Sequence, residues 1–429
     1  MKKVIYPEKA QWEALLKRPT QTVADIEATV NDIFFDVKAH GDAAVAKYTK
    51  LFDGVEMKHL RATAEEFENA FAQVPEELKT AIQLAKKNIE TFHSAQKLAK
   101  VEVETMPGVR CWQEQRPIEK VGLYIPGGSA PLFSTILMLA VPAVIAGCKE
   151  IYLCTPPDKN GNVNPAILYT AQLCGINRIY KVGGIQAIAA MTFGTESIPK
   201  AYKLFGPGNQ FVTVAKQIAT KHGVAIDMPA GPSELLVYAD DTANASFVAS
   251  DLLSQAEHGA DSQVILVTTS EVMLNAVETQ VALQLKSLPR KDMATKAIQN
   301  SKSILVKDEI EALALINAYG PEHFIVVSEN ETLFVDGIVN AGSVFIGNYT
   351  PESAGDYASG TNHTLPTNGY AKQYSGVNLA SFMKSVTFQK ITTEGIVAIG
   401  GAIELMAEAE GLMAHKNAVS LRLKELKDE

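Results

Sequence analysis

From residue 120 to residue 346 the chain repeats one pattern: a short apolar run, a turn, and a segment with helical spacing. Apolar runs of three to five residues bounded by turns read as buried strands, and strands joined through helices form βαβ crossovers, which require a parallel sheet. The expected strands fall in two series. The first is Val121–Ile125, Ile151–Thr155, Arg178–Val182, Tyr202–Phe205 and Val224–Met228. The second is Leu235–Ala239, Val264–Thr268, Ser303–Val306, Phe324–Val327 and Val344–Ile346. Helices are expected at Leu132–Ala146, Pro165–Leu173, Ile185–Met191, Gln210–Thr220, Ala243–Gln255, Ser270–Lys286 and Asp308–Ala318. The fold class is therefore α/β, with two Rossmann-like parallel-sheet domains. At 429 residues the chain is also too long for one ordinary core.

The flanks differ in texture. Residues 1–20 read as an N-terminal arm. Val23, Ile26, Val30, Ile33, Phe34 and Val37 recur at helical spacing, and Gly41 interrupts that helix. Thr63-Ala-Glu-Glu66 has the form of a capping box, and Pro75 opens a further helix running to about Lys97. These early helices are expected to pack on the second strand series. The first α/β domain is then discontinuous, 21–124 with 235–377, and 125–234 is an inserted second domain. Residues 349–374 form a loop rich in Gly, Ser, Thr, Asn and Pro, and loops this long in a compact domain are usually functional or disordered. Residues 378–429 form a tail, helical from 393 and charged at its end.

Composition excludes several classes. Hydrophobic residues at 47% and charged residues at 20% fit a folded soluble protein. A formal net charge of -9 argues against nucleic-acid and anionic-membrane binding. No run reaches the roughly 18 apolar residues of a membrane span. The opening Met1-Lys-Lys-Val-Ile-Tyr6 leads into no apolar core, so no secretory signal is expected. Four cysteines in a chain this long make no disulfide scaffold, and the cytoplasm is the expected compartment.

Four glycine-rich turns follow strands: Tyr124-Ile-Pro-Gly-Gly-Ser129, Val182-Gly-Gly-Ile-Gln186, Gly206-Pro-Gly-Asn209 and Ala230-Gly-Pro-Ser-Glu234. A βα turn needs glycine for its own geometry, which accounts for any one of them. Four together bring a nucleotide or other anionic ligand into contention, since glycine admits a ligand to the backbone and helix N-termini attract phosphate. None matches the usual dinucleotide fingerprint G-x-G-x-x-G, so the cofactor stays open. Gln255 and His258 are three residues apart on an expected helix face, with Gly259 placed to cap it. An amide oxygen and an imidazole on one face suit a metal, and a solvated helix end explains them equally. Glu322-His323 at a strand start offers two proton acceptors to one cleft. Asp356, Asn362 and His363 lie in the polar loop, and Glu410 and His415 flank a helix break at Gly411. Cys148, Cys154 and Cys174 read as small core hydrophobes, whereas Cys111 sits in a more polar run.

Taken together, Tyr124-Ile-Pro-Gly-Gly, Gly206-Pro-Gly-Asn209, Ile226-Asp-Met-Pro-Ala-Gly-Pro-Ser-Glu234, Leu253-Ser-Gln-Ala-Glu-His-Gly259, Gly320-Pro-Glu-His-Phe324 and Gly355-Asp-Tyr-Ala-Ser-Gly-Thr-Asn-His-Thr-Leu-Pro366 resemble histidinol dehydrogenases, from about residue 20 to the last helix. The resemblance implies oxidation of L-histidinol through L-histidinal to L-histidine with two NAD and one water, the last two steps of histidine biosynthesis. It implies one zinc ion per subunit and a homodimer with shared active sites, the tail serving dimerisation. By resemblance, Gln255, His258, Asp356 and His415 bind zinc, His415 from the partner subunit, and Glu322 and His323 are the proton acceptors. Ser233, His363 and Glu410 contact substrate together with His323 and the zinc ligands, and Tyr124, Gln186 and Asn209 contact NAD. Three other chemistries compete: a thiol aldehyde dehydrogenase using Cys111 or Cys148, a zinc hydrolase, and a non-catalytic sensor, against which the intact Glu322–His323 pair weighs.

Overall fold

The computed structural model describes residues 1–19, 24–57, 59–127 and 131–428. Val23 of the expected first helix and Gly128 and Ser129 of the first glycine-rich turn lie outside the described residues. The chain forms two compact units, Met1–Gln96 with Ile118–Phe382, and Lys97–Pro117 with Met383–Glu429.

The first unit holds both parallel sheets. One runs in the order Ile179–Lys181, Glu150–Thr155, Lys120–Tyr124, Lys203–Phe205, Ala225–Ile226. The other runs Lys2–Ile5, Lys302–Leu305, Gln263–Thr268, Glu234–Ala239, His323–Val327, Ser343–Ile346. Apart from the edge strand Lys2–Ile5, both have their strands in one spatial order, third, second, first, fourth, fifth. The strand order therefore reverses between the first and fourth strands of each sheet. The opening arm is more than a tether: it supplies that edge strand, and Trp12 and Leu16 enter the core on one face of the six-stranded sheet.

The early helices do not pack on the six-stranded sheet, as their place in the chain suggests. Ala24–Asp53 lies on the helices Gly184–Phe193 and Gln210–Lys221, Ala64–Gln73 on Pro165–Leu173, and Glu76–Ser94 on Phe133–Ala146. Every residue from Ser134 to Ala143 is buried, as is every residue from Ile185 to Thr192. Helices apolar all round need cover on their outer faces as well as against their sheet, and the early helices provide it. Ile26, Val30, Ile33, Phe34 and Val37 accordingly share one core cluster with Tyr152, Tyr180 and Ile188. Local signals hold along this stretch. Gly41 is left-handed at φ 52° and interrupts the helix, and Thr63 with Glu66 forms a reciprocal capping box.

The second unit has a three-stranded antiparallel sheet, Met383–Ile391, Val109–Pro117, Val101–Met106, and the helices Thr393–Ala409 and Met413–Asp428. Sequence periodicity missed these strands because their charged residues line one face while the other is poorly buried, leaving Val101 and Val103 exposed. Among the described residues no helix is long and apolar enough to cross a membrane.

Candidate active site

The central strands of the six-stranded sheet start side by side. Glu234 opens one and His323 opens its parallel neighbour, with His323 in register with Leu235. Glu322 is thereby set at the amino end of the sheet, next to His323. The helix Ala245–Ala256 follows the first of these strands and runs back along the sheet, so its last turn returns Gln255 to the same end. That helix closes at Glu257, and Gly259, expected as its cap, is not in the left-handed region. A tight turn keeps His258 close, its N–H donating to the Gln255 carbonyl at 3.2 Å, and its side chain remains exposed.

The polar segment 349–374 is not uniformly a loop. Glu352–Tyr357 is a short helix after Pro351, and residues four apart share a helix face, here Glu352 and Asp356. His363 bonds the Asp356 carbonyl through Nδ1 at 2.8 Å and the Thr135 hydroxyl through Nε2 at 3.1 Å. Asn362 donates to the Met138 carbonyl at 2.6 Å. The segment is thus fastened to the helix Phe133–Ala146.

These elements concentrate charge. His323 Nδ1 lies 3.7 Å from Glu352 and 3.8 Å from Glu322, and its Nε2 lies 3.5 Å from Asp356. Glu322 accepts from the Glu234 N–H at 2.8 Å and from the Gln255 amide at 3.4 Å. Burial pushes the Glu322 carboxyl up to about 8 and the Glu352 carboxyl well above the usual range. Burial by itself pulls His323 down, but Glu352, Glu322 and Asp356 outweigh it and raise the imidazole to about 10. For Asp356, burial is outweighed by His323, His363 and His258, which hold it low. Several buried polar atoms have no hydrogen-bond partner: Gln255 Oε1, His323 Nε2 and both oxygens of Glu352. His323, Glu352 and Asp356 offer ligand atoms all within 4.8 Å of one another. An acid-rich pocket with an unpartnered amide oxygen suits a divalent cation, and a bound cation would counter the negative field that keeps His323 protonated.

A second feature lies at the carboxyl ends of the five-stranded sheet, where the strand order reverses. In open α/β sheets this is where ligands bind. A cavity of 1260 Å³ is lined there by Tyr124, Gln186 and Asn209, with Asp53 at its edge. The Tyr124 hydroxyl accepts from the Gly184 N–H at 3.0 Å. Asn209 caps the helix Gln210–Lys221 by accepting from the Val212 N–H at 3.1 Å. Gln186 is fully buried and neither atom of its amide has a partner. Gly206 at φ 133° cannot be replaced, since a Cβ would lie 2.1 Å from the Tyr124 carbonyl oxygen.

The fold thus gathers Gln255, His258, Glu322, His323, Asp356 and His363 at one end of the six-stranded sheet, with Ser233 just ahead of Glu234. Glu410 and His415 belong to the second unit and are exposed there. None of the cysteines is among these groups. Burial pushes the thiols of Cys148 and Cys174 up to about 11 and about 12, and that of Cys154 higher still, which leaves them weak nucleophiles. Cys111 lies on a strand of the second unit. The sequence assigned no role to Glu352, though it stands four residues from Asp356, to Glu234, though it closes a glycine-rich turn, or to Arg18, which donates to the Glu234 carboxylate.

A family model described as histidinol dehydrogenase matches residues 16–423. A histidinol dehydrogenase of Bacteroides thetaiotaomicron is 61% identical over 427 residues, covering 100% of both chains. That of Escherichia coli strain K12 is 54% identical over 422 residues, covering 98% of this chain and 96% of the other. The crystal structure of histidinol dehydrogenase from Elizabethkingia anophelis superposes with a TM-score of 0.97 at 59% identity, covering 100% of this chain and 99% of that one.

Proposed function

The chain belongs to the histidinol dehydrogenase family, enzymes of the final steps of histidine biosynthesis, and from that premise we propose how its residues divide the work. L-Histidinol is oxidised through L-histidinal to L-histidine, with two NAD reduced and one water consumed. One zinc ion per subunit is held by Gln255, His258 and Asp356, with His415 contributed by a second copy of the chain. Support for the metal comes from the buried Gln255 Oε1, which has no hydrogen-bond partner on an amide that reaches Glu322, and from His323, Glu352 and Asp356, whose ligand atoms lie within 4.8 Å of one another. When bound, zinc orients the imidazole and amine of the substrate. When bound, NAD accepts the hydride.

The protein's own groups move the protons. His323 takes the hydroxyl proton of the alcohol through Nε2, the ring nitrogen that has no hydrogen-bond partner. Glu322 takes a proton from the water that hydrates the aldehyde, and a raised carboxyl suits a group that must both accept and release one near neutrality. Ser233, His363 and Glu410 complete the substrate contacts. Tyr124, Gln186 and Asn209 hold NAD, and the unpartnered amide of Gln186 at the cavity supports that assignment.

Dimerisation has support in the second unit. Val397, Leu405, Met406, Met413 and Leu421 are all exposed on its two helices. An apolar surface of that kind calls for a partner, and a second copy supplies one. We assign the enzyme to the cytoplasm.

The buried Glu322–His323–Asp356–Glu352 cluster carries this reading. Its test is the NADH formed per L-histidinol with and without a chelator. We expect two, abolished by chelation and restored by zinc; one per histidinol, or indifference to the chelator, would sink it. The shared site is tested by mixing His258→Ala and His415→Ala subunits, each inactive alone. Activity should return with one working site per mixed dimer, and its failure to return counts against sharing.

A further inference from the structure

We propose that Arg18 is a positioning residue for the catalytic pair: it grips the Glu234 side chain, and the Glu234 peptide in turn holds both Glu322 and His323. The inference rests on the reading of those two residues as proton acceptors. Arg18 Nε donates to Glu234 Oε1 at 2.5 Å and its Nη2 to Oε2 at 2.8 Å, a two-pronged fork. The pair is buried, the side chains of Arg18 and Glu234 being 12% and 2% exposed. A second lock acts on the same carboxylate, the Asn368 N–H donating to Oε1 at 2.6 Å. Both oxygens of the Glu234 side chain are occupied by these bonds.

Its backbone does the positioning. The Glu234 N–H donates to Glu322 Oε2 at 2.8 Å, and its carbonyl oxygen meets His323 Nδ1 at 3.3 Å. A carbonyl only accepts, so Nδ1 carries a hydrogen and Nε2 is the nitrogen left to take a proton. One peptide thus sets the direction of the carboxylate and the tautomer of the imidazole. Arg18 also reaches the segment that carries the pair. Its Nη2 donates to the Tyr319 carbonyl at 3.0 Å and the Gly320 carbonyl at 3.3 Å, and the guanidinium lies 3.9 Å from the centre of the Tyr319 ring. A single planar group therefore ties the start of one strand to the turn leading into the next. Lysine cannot match this, because its ammonium is a point charge without the fork.

A buried ion pair is weak evidence of stabilisation, since apolar replacements are often as stable. That property allows a clean test. The double variant Arg18→Met/Glu234→Gln removes both charges at once, and Arg18→Lys keeps the charge and loses the fork. For each, thermal midpoint, zinc content, and kcat and KM for L-histidinol and L-histidinal are measured. We expect the double variant to stay folded and zinc-loaded, with KM within about 3-fold of wild type and kcat lowered about 10- to 100-fold, the scale of a small misplacement of catalytic groups. Arg18→Lys should lower kcat about 3- to 10-fold at unchanged KM. Wild-type kcat in the folded double variant overturns the proposal. If the double variant fails to fold, Arg18→Lys decides, and wild-type kcat there overturns it too. Full turnover by both Glu322→Gln and His323→Asn would instead remove the reading beneath it, and the proposal with it.

Discussion

The two parallel sheets share one strand order and put opposite ends to use. The five-stranded sheet opens a cavity at its carboxyl ends, where glycine turns and helix starts present N–H groups. The six-stranded sheet assembles its charged cluster at the amino ends, where the C-terminal end of the helix Ala245–Ala256 returns. The difference follows from helix polarity. Helix N-termini carry partial positive charge and suit phosphate, and C-termini carry partial negative charge and suit a cation. The first end needs mainly backbone, so it is built from Gly206 and short turns. The second, on the proposed reading, moves protons, so it needs carboxylates and imidazoles, and buries them at a cost that a cation would offset.

Removing a proton acceptor from the amino-end cluster should have the largest effect. Glu322→Gln and His323→Asn are each expected to lower kcat by about 10²- to 10⁴-fold, read separately for the alcohol and the aldehyde. If Glu322→Gln loses the alcohol step and keeps the aldehyde step, the two roles are reversed. Next, Gln255→Leu should leave the fold intact and weaken zinc retention at least about 10-fold, measured by metal analysis after dialysis. Retention at the wild-type level would show that the amide is not a ligand. At the other sheet, Gln186→Leu should raise KM for NAD about 10-fold with little change in kcat, the loss of roughly one hydrogen bond. An unchanged KM would remove that cavity from cofactor binding.

The smallest effect is one of stability. Burial raises the Asp53 carboxyl to about 6, and its Oδ2 has no partner. A carboxyl raised on folding leaves stability undiminished below its unfolded value, about 4, and costs stability as pH climbs through 6. Asp53→Asn should therefore match wild type near pH 4 and exceed it near pH 8, by under about 1 kcal/mol because the side chain is partly solvated. Urea unfolding at the two pH values checks this, and an equal gain at both would mean that titration is not its cause.

Much of the six-stranded sheet was legible because its strands are apolar on both faces and begin at glycine or proline punctuation. The pair Glu322-His323 could be seen at a strand start, and His323 does open that strand. The antiparallel strands Val101–Met106 and Val109–Pro117 were not legible, because little of either is buried and an apolar residue left in solvent marks no core face. The packing of Ala24–Asp53 was misread for another reason. Its amphipathic spacing fixes which face is buried, not which partner buries it.

By itself the sequence determined the two βαβ series, the capping of individual helices and the motifs that carry the family. These are short-range matters, set by backbone sterics, side-chain period and turn chemistry within a few residues. Only the tertiary structure decided that both sheets share one strand order, that Glu352 faces His323, and that Arg18 closes on Glu234 across 216 residues. Those contacts depend on which strands lie side by side and in what register, and buried charges find their partners only after that arrangement exists.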